Sequence, residues 1–408
     1  MSQGIYMDHH ATTRPDPRVV EAMMPYLTTE YGNASSRTHA FGWRAEEAIT
    51  RARGQVARLL NADPKEIAFT SGATESNNLA LLGAMRATAH KGDHVVTGAT
   101  EHPSVLDVLK ALADQGARVT VLPVDGLGRI DPEVVRAALT DRTVLVSLMA
   151  GNNEVGTLHP LAAIGAVCKE RGVLFHTDAA QAAGRIPLDV QAMGIDLLSL
   201  SAHKVHGPKG VGALYVRRKN PRVVLEPVQR GGGQERGLRS GTHNVPGIVG
   251  MGAALEIARA EMPAESRRVS ALRDRLQKAI LARVEEVVLN GDPEARLPNN
   301  LNLSFAYVEG EALLLALEGV AVSSGSACTS EKREPSHVLK AMGVTDDMAQ
   351  TSIRFGLGRF NTESEVDEVI ERVVAAVARL REISPLYQAA RSGGGRTSMA
   401  FHTAHKGA

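Results

Sequence analysis

An α/β fold is what this sequence predicts: a mostly parallel central sheet with helices on both faces, joined to a smaller α+β unit. Two patterns carry that expectation. Short apolar, β-rich runs alternate with helical ones between residues 43 and 216, the signature of strand–helix–strand crossovers. Several of these runs also end abruptly in polar residues, as strands do where an open parallel sheet binds ligands beyond its carboxyl edge. A chain of 408 residues has room for two or three domains.

Residues Trp43 to Leu60 form the first amphipathic helix, with Ala45, Ala48, Ala52, Val56 and Leu59 on one stripe. The expected strands are Glu66–Thr70, His94–Thr97, Arg118–Leu122, Thr143–Met149, Val173–Thr177, Asp196–Ser201 and Val211–Val216. Pro263 separates two helical patterns, Ile248–Met262 and Glu265–Val284, and reads as a boundary. Beyond it come an extended run (Asn299–Ser304), a helix (Glu309–Leu317), another extended run (Ser352–Phe355) and a long helix, Glu363–Ile383. Thr362 and Glu365 are spaced as a capping box for that last helix. The expected division is a large domain over 15–262, a smaller one from 1–14 and 263–385, and a mobile Gly- and Ser-rich tail over 386–408.

Composition narrows the function. Hydrophobic residues make up 43% and charged residues 22%, as in a globular protein with a large core. The 46 basic and 45 acidic side chains nearly cancel, which provides no global field for nucleic acid or an anionic membrane. Only 3% of residues are aromatic, too few for a base-stacking surface. Two cysteines, Cys168 and Cys328, build no disulfide framework and suggest a reducing compartment. With no signal-peptide pattern and no apolar run of spanning length, a cytoplasmic enzyme is expected.

The chemistry collects at strand ends. Asp196–Leu200 runs into Ser201-Ala202-His203-Lys204, and a lysine desolvated there becomes an amine nucleophile able to form a Schiff base. Val173–Phe175 runs into His176, Thr177, Asp178 and Gln181, and Thr143–Met149 into Asn152, Asn153 and Glu154. A buried Asp178 needs a cationic partner, either a protonated pyridine nitrogen or a local arginine or backbone N–H. Glu66–Thr70 leads through Ser71-Gly72-Ala73-Thr74-Glu75 into a helix start, which suits a phosphate and equally an ordinary N-cap. Phosphate cradle, ring acid and Schiff-base lysine together are the requirements of pyridoxal phosphate. His203 and His206 have a spacing seen in metal sites, but no cysteine or carboxylate set completes one, so no metal is expected. The stretch Ser323-Ser324-Gly325-Ser326-Ala327-Cys328-Thr329-Ser330 cannot pack a core, so Cys328 is expected on a mobile loop over about 323–336, whereas Cys168 lies on an apolar helix.

These residues resemble a known family. The motifs Asp8-His9-His10-Ala11-Thr12-Thr13, Thr70–Asn77, Thr100-Glu101-His102, Asn152-Asn153-Glu154, Arg239-Ser240-Gly241-Thr242 and the Asp178, Lys204 and Cys328 stretches are similar to those of cysteine desulfurases of the NifS/IscS type, which are class V aminotransferase-like, fold-type I pyridoxal phosphate enzymes. The likeness runs from Tyr6 to about Pro385. It implies conversion of L-cysteine to L-alanine with sulfur carried on Cys328 as a persulfide, for iron–sulfur cluster assembly and other thiolation pathways. It implies that Lys204 holds the cofactor, Asp178 pairs with the pyridine nitrogen, Gln181 donates to the ring hydroxyl oxygen and His102 stacks on the ring and moves protons. Ala73, Thr74, Ser201 and His203 hold the phosphate, joined by Thr242 of a neighbouring subunit. Asn153 and Arg354, with Asn33, hold the substrate carboxylate, and Asn153 also borders the cofactor. A homodimer is implied, with Gly231-Gly232-Gly233 in a dimer-contacting loop, as is a sulfur-acceptor partner such as an iron–sulfur scaffold. The sequence departs from the family at Ala34, where proline is common, and at His206, where tyrosine is. A selenocysteine lyase, or an aminotransferase of the same fold, uses much of the same cofactor logic.

Overall fold

The computed structural model describes residues 4–324 and 335–391. The chain begins with strand β1 (Ile5–Tyr6) and two helices, α1 (Pro17–Thr28) and α2 (Ala40–Leu60). Helix α2 starts three residues before the apolar stripe predicts, because His39 caps it through the backbone N–H of Gly42. The crossover units follow: β2 (Ile67–Thr70), α3 (Ala73–Ala87), β3 (His94–Gly98), α4 (Pro103–Asp114), β4 (Arg118–Leu122), α5 (Pro132–Ala138), β5 (Thr143–Ser147), α6 (Leu161–Glu170), β6 (Leu174–Asp178), β7 (Leu197–Ser201) and β8 (Gly212–Val216).

Seven strands form one sheet in the order β2-β8-β7-β6-β5-β3-β4. All run parallel except β8, which is antiparallel to both its neighbours. Alternate residues of each strand enter two different cores. Val96, Val146, Leu198 and Tyr215 face one that includes α2 and α6, while Val95, Leu145, Leu197 and Leu214 face another built on α3 and α4. Burial on both faces makes these strands near-continuous apolar runs rather than alternating ones. With six parallel strands pointing one way, the carboxyl ends of β2, β3, β4, β5, β6 and β7 share one edge of the sheet.

The helix α7 (Val245–Arg283) is a single 39-residue element, so Pro263 lies inside a helix instead of ending one. Its residues Val245 to Ala258 pack with the large sheet, and Val269 to Ile280 with a separate core. Pro263 falls in the stretch between them, where the helix is solvated and water can satisfy the carbonyl that proline leaves unbonded. Around that second core lie β9 (Val287–Leu289), β10 (Asn300–Phe305), α8 (Gly310–Ala316), β11 (Val320–Ala321), β12 (Ser323–Ser324), β13 (Ser352–Gly356) and α11 (Glu363–Glu382), while α9 (His337–Ala341) and α10 (Asp346–Gln350) bury Val338, Leu339 and Ala349 in a small separate cluster with Val155. Its sheet has the order β12-β13-β10-β9, and β1 pairs with β11. The Thr362–Glu365 capping box at the start of α11 is present. The tail expected to be mobile from residue 386 starts instead within a short exposed helix, α12 (Pro385–Arg391); residues 392–408 lie outside the described residues, as does Cys328.

A buried ionic cluster ties these parts together at the middle of α7. Arg359 reaches Asp16 at 2.7 Å and Glu265 at 2.8 Å, and Glu265 also holds Arg185 at 2.6 Å. Hydrogen bonds from Arg18 and Arg359 overcome burial and hold the Asp16 carboxyl far below the ordinary carboxylate range.

Candidate active site

Helix α3 begins at Gly72, which has no side chain to cap it, so the N–H groups of the first turn face the sheet edge without an intrahelical acceptor. Three neighbouring strands meet there in register: Thr70 on β2 pairs with Gly212 on β8, and Gly212 pairs with Ser201 on β7. A Cβ on Gly212 would lie 2.5 Å from the Leu200 carbonyl oxygen and 2.6 Å from Gly72 Cα. Only glycine lets the helix start sit this close to Ser201. The result is an uncapped helix terminus flanked by the hydroxyl of Ser201, a cradle with the donors and the dipole that suit a phosphate. His203 lies two residues on, its Nδ1 3.1 Å from Thr12 Oγ1, and burial pulls its imidazole down to about 4.

Lys204 sits in the short turn after β7. Its Nζ donates to the carbonyls of His10 and Ala11, the latter at 2.9 Å. The segment Asp8–Thr13 thus arches over the lysine. Thr13 anchors it by donating from both its N–H and its hydroxyl to the His203 carbonyl, at 2.9 and 2.8 Å.

Asp178 ends β6 and is 7% exposed. One carboxylate oxygen accepts from the Ala180 N–H at 2.9 Å, the other from Asn77 Nδ2 at 2.7 Å. The same Asn77 amide donates to Ser104 Oγ at 2.8 Å, and Ser104 Oγ lies 2.8 Å from His102 Nδ1. A continuous chain of polar contacts therefore links Asp178 to His102. His102 is the N-cap of α4, and its Nδ1 accepts the Ser104 backbone N–H at 3.1 Å. An Nδ1 that accepts leaves the proton on Nε2 in the neutral ring, and burial lowers the imidazole below its ordinary value. Gln181 follows β6 by three residues and holds His10 at both ends of its amide.

Arg354 on β13 comes from the second sheet. Its side chain is 4% exposed, donating to Asp8 Oδ1 and the Asn153 carbonyl, each at 3.0 Å, and among the described residues its Nε has no partner. On the next strand Ser323 pairs opposite Arg354, and Ser324 opposite Ile353. Asn153 follows β5. Its neighbour Glu154 is buried, which raises its carboxyl above the usual range, and it accepts from the hydroxyl of Ser336. His337 donates to the Glu101 carbonyl at 3.0 Å if Nε2 bears its proton. The residues on both sides of the segment 325–334 are therefore tied to this edge of the sheet.

Lys204, Gln181, His203, Arg354 and Asn153 are thus joined through contacts of the Asp8–Thr13 segment and of Arg354, while Asp178 and His102 are joined through Asn77 and Ser104, and Ala73 and Thr74 form the helix start beside Ser201. Two expected residues stand apart. Asn33 is exposed in the loop between α1 and α2 and accepts the Ser35 N–H at 2.9 Å within its own turn. Thr242 is exposed, and its loop is held near α3 by Arg239, 2.8 Å from Glu75. The loop is also held by Glu235, whose side chain is fully buried against Arg53, His243 and the Phe69 N–H. Sequence reasoning assigned no role to Asn77, Glu154, Ser336 or the Asp8–Thr13 segment. Asp8–Thr13, Asn77 and Glu154 lie in the family motifs, and Asn77 also left a signal as a buried polar residue of α3.

The Aminotransferase class-V family matches residues 5–369. A cysteine desulfurase IscS from Anaeromyxobacter dehalogenans is 60% identical over 96% of this chain and 97% of its own length. A human cysteine desulfurase is 55% identical, over 95% of this chain and 85% of its own. Among solved structures, a NifS-like protein superposes with a TM-score of 0.86 at 38% identity, covering 92% of this chain and all of that one. A structure titled SspA in complex with cysteine gives 0.78 at 37% identity, over 88% and 100%. On these matches the chain belongs to the class-V aminotransferases and, within them, to the pyridoxal-phosphate-dependent cysteine desulfurases of the NifS/IscS type.

Proposed function

We propose that Lys204 and Cys328 share the desulfurase reaction of this chain: the first holds the cofactor and carries a proton, the second takes the sulfur of L-cysteine as a persulfide. One observation carries the reading. The strand leading toward Cys328 runs beside Arg354, the proposed clamp for the substrate carboxylate. Cys328 lies four residues beyond Ser324, within about 14 Å of it along the chain.

Pyridoxal phosphate, when bound, supplies an aldehyde for a Schiff base and a protonated ring that takes up electrons from the substrate α-carbon. The N–H groups of Ala73 and Thr74, with Ser201, His203 and the Thr74 hydroxyl, hold its phosphate. Asp178, its charge oriented by Asn77 and Ala180, would pair with the ring nitrogen. Gln181 would donate to the ring hydroxyl oxygen, and His102 would stack against the ring, its Nε2–H available to move a proton. Arg354 and Asn153, joined by Asn33, hold the carboxylate of L-cysteine. Lys204 Nζ, steadied by the carbonyls of His10 and Ala11, carries the α-proton. Cys328 sulfur forms an S–S bond to the substrate sulfur as the substrate Cβ–S bond breaks. The electron pair of that bond stays on carbon, which takes a proton and leaves as L-alanine.

The exposure of Thr242 supports a homodimer in which this residue completes the neighbouring phosphate site. The persulfide then passes to a sulfur-acceptor protein, such as an iron–sulfur scaffold in the cytoplasm. Among the described residues no helix is long and apolar enough to cross a membrane. The two cores support a large cofactor-binding domain over 15–262 and a smaller one from 1–14 and 263–385. Mass spectrometry after mixing with L-cysteine tests the reading: one extra sulfur on Cys328 together with free alanine is expected. A Cys328→Ala variant that still releases sulfur at the normal rate overturns the acceptor role.

A further inference from the structure

His10 has two hydrogen-bonding faces, and both engage the same amide. Gln181 Nε2 lies 3.0 Å from the His10 carbonyl, and Gln181 Oε1 lies 2.9 Å from His10 Nδ1. A carbonyl only accepts, so the nitrogen of the Gln181 amide must face it. The amide oxygen then faces Nδ1, which must carry the imidazole proton. One N–H of Gln181 is spent on the carbonyl, and the other remains to donate elsewhere. The ring itself is held: it is 1% exposed and packs on β13, where a Cβ on Gly356 would come within 2.8 Å of His10 Cδ2. Among the described residues its Nε2 has no partner. The carbonyl that orients Gln181 also accepts from Lys204 Nζ.

We infer that His10 is a positioning residue of the active site, locking the Gln181 amide in the one orientation that presents an N–H toward the cofactor ring. This rests on the reading of Gln181 as donor to the ring hydroxyl oxygen. Turned over, the amide would aim its carbonyl at that oxygen and repel it. The imidazole does the locking as a neutral group. Burial, together with Arg354, Lys204 and Arg185, pushes it down to about 3, against the hydrogen bond to Gln181, so no additional cation is placed beside Lys204.

The test uses the holoenzyme without substrate at one fixed pH, reading the visible absorbance of the bound cofactor and its dissociation constant. His10→Leu keeps the bulk and removes the donor; His10→Ala takes its place if the leucine variant does not fold. His10→Asn restores an N–H where Nδ1 stood. The donor-free variant is expected to shift the absorbance bands and weaken cofactor binding about fivefold to tenfold, as for one lost hydrogen bond. The asparagine variant is expected to return both toward the unmodified protein. A Gln181→Leu variant separates the two ways of failing. If it shifts the bands and the donor-free His10 variant does not, the role of His10 is wrong and the reading of Gln181 stands. If Gln181→Leu leaves the bands unchanged, the reading of Gln181 falls and this inference with it.

Discussion

Replacing Gly212 by alanine tests the phosphate cradle through space alone, since nothing polar is removed. The new Cβ would lie 2.5 Å from the Leu200 carbonyl oxygen, 2.6 Å from Gly72 Cα and 2.7 Å from the Gly72 carbonyl carbon, where ordinary contact begins at 3.4 Å. Every one of these atoms is backbone, so no side chain can swing aside. Relief requires the start of α3 and the end of β7 each to move about 0.7–0.9 Å away from the new Cβ, the difference between those distances. Overpacking of this kind costs about 1–3 kcal/mol, within the margin of about 5–15 kcal/mol that a folded protein holds. The fold is therefore expected to survive while the cradle opens. Donors misplaced by nearly 1 Å can lose about a hundredfold in effectiveness, so cofactor affinity is expected to fall about 10- to 100-fold. Equilibrium titration of the apoprotein with pyridoxal phosphate, followed by absorbance, measures this, with thermal unfolding in parallel. Gly54→Ala in α2 is the control: its Cβ meets only Arg58 Nη1, at 3.4 Å. There the change should add about 0.5–1 kcal/mol of stability and leave cofactor binding alone. A Gly212→Ala protein that binds the cofactor as tightly as the original would refute the cradle.

Arg354→Lys keeps the charge and loses the planar fork; the KM for L-cysteine should rise at least about tenfold with the cofactor spectrum unchanged, as steady-state kinetics would show. Burial alone would raise the carboxyl of Glu235, but hydrogen bonds from Arg53 and His243 bring it down to about 2. A group depressed in the folded state stabilises fully above its unfolded pKa, so roughly 3 kcal/mol should be lost as pH falls from about 4.5 to 2. Denaturation curves across that window should steepen this loss relative to Glu235→Gln, which is weaker at neutral pH and flatter in acid. Cys168 is buried in α6 with its thiol pushed up to about 12; Cys168→Ala should load sulfur from L-cysteine normally by mass spectrometry.

The strands of the large sheet were legible in the sequence because all but the edge strand β4 are buried on both sides, and an apolar run bounded by polar residues is a local signal. The same locality made Lys204, Asp178 and Asn153 visible, each a short step past such a run. Arg354 and the Cys328 segment carried chemical rather than periodic signals. What stayed hidden depends on partners far apart in the chain. His10 and Gln181 are separated by 171 residues, and Glu154 and Ser336 by 182. No periodicity near His10 hints that its carbonyl receives a lysine from position 204. Asn77 was hidden differently, since one amide on an apolar helix face resembles an isolated exception until Asp178 and Ser104 are seen against it. Pro263 misled because a proline breaks a helix only where the lost hydrogen bond cannot be replaced, and that depends on solvent rather than on neighbouring residues.

The unbroken α7 has a consequence for anyone dissecting this protein. At 39 residues it is a rod of about 58 Å, with one end built into each hydrophobic interior. Cutting at the proline would hand each fragment half a rod with a frayed tip and would sever Arg185 from Glu265 and Arg359 from Asp16. Neither fragment is then expected to behave as an independent module, and bending between the halves must occur within the rod or in the chain crossing beside it.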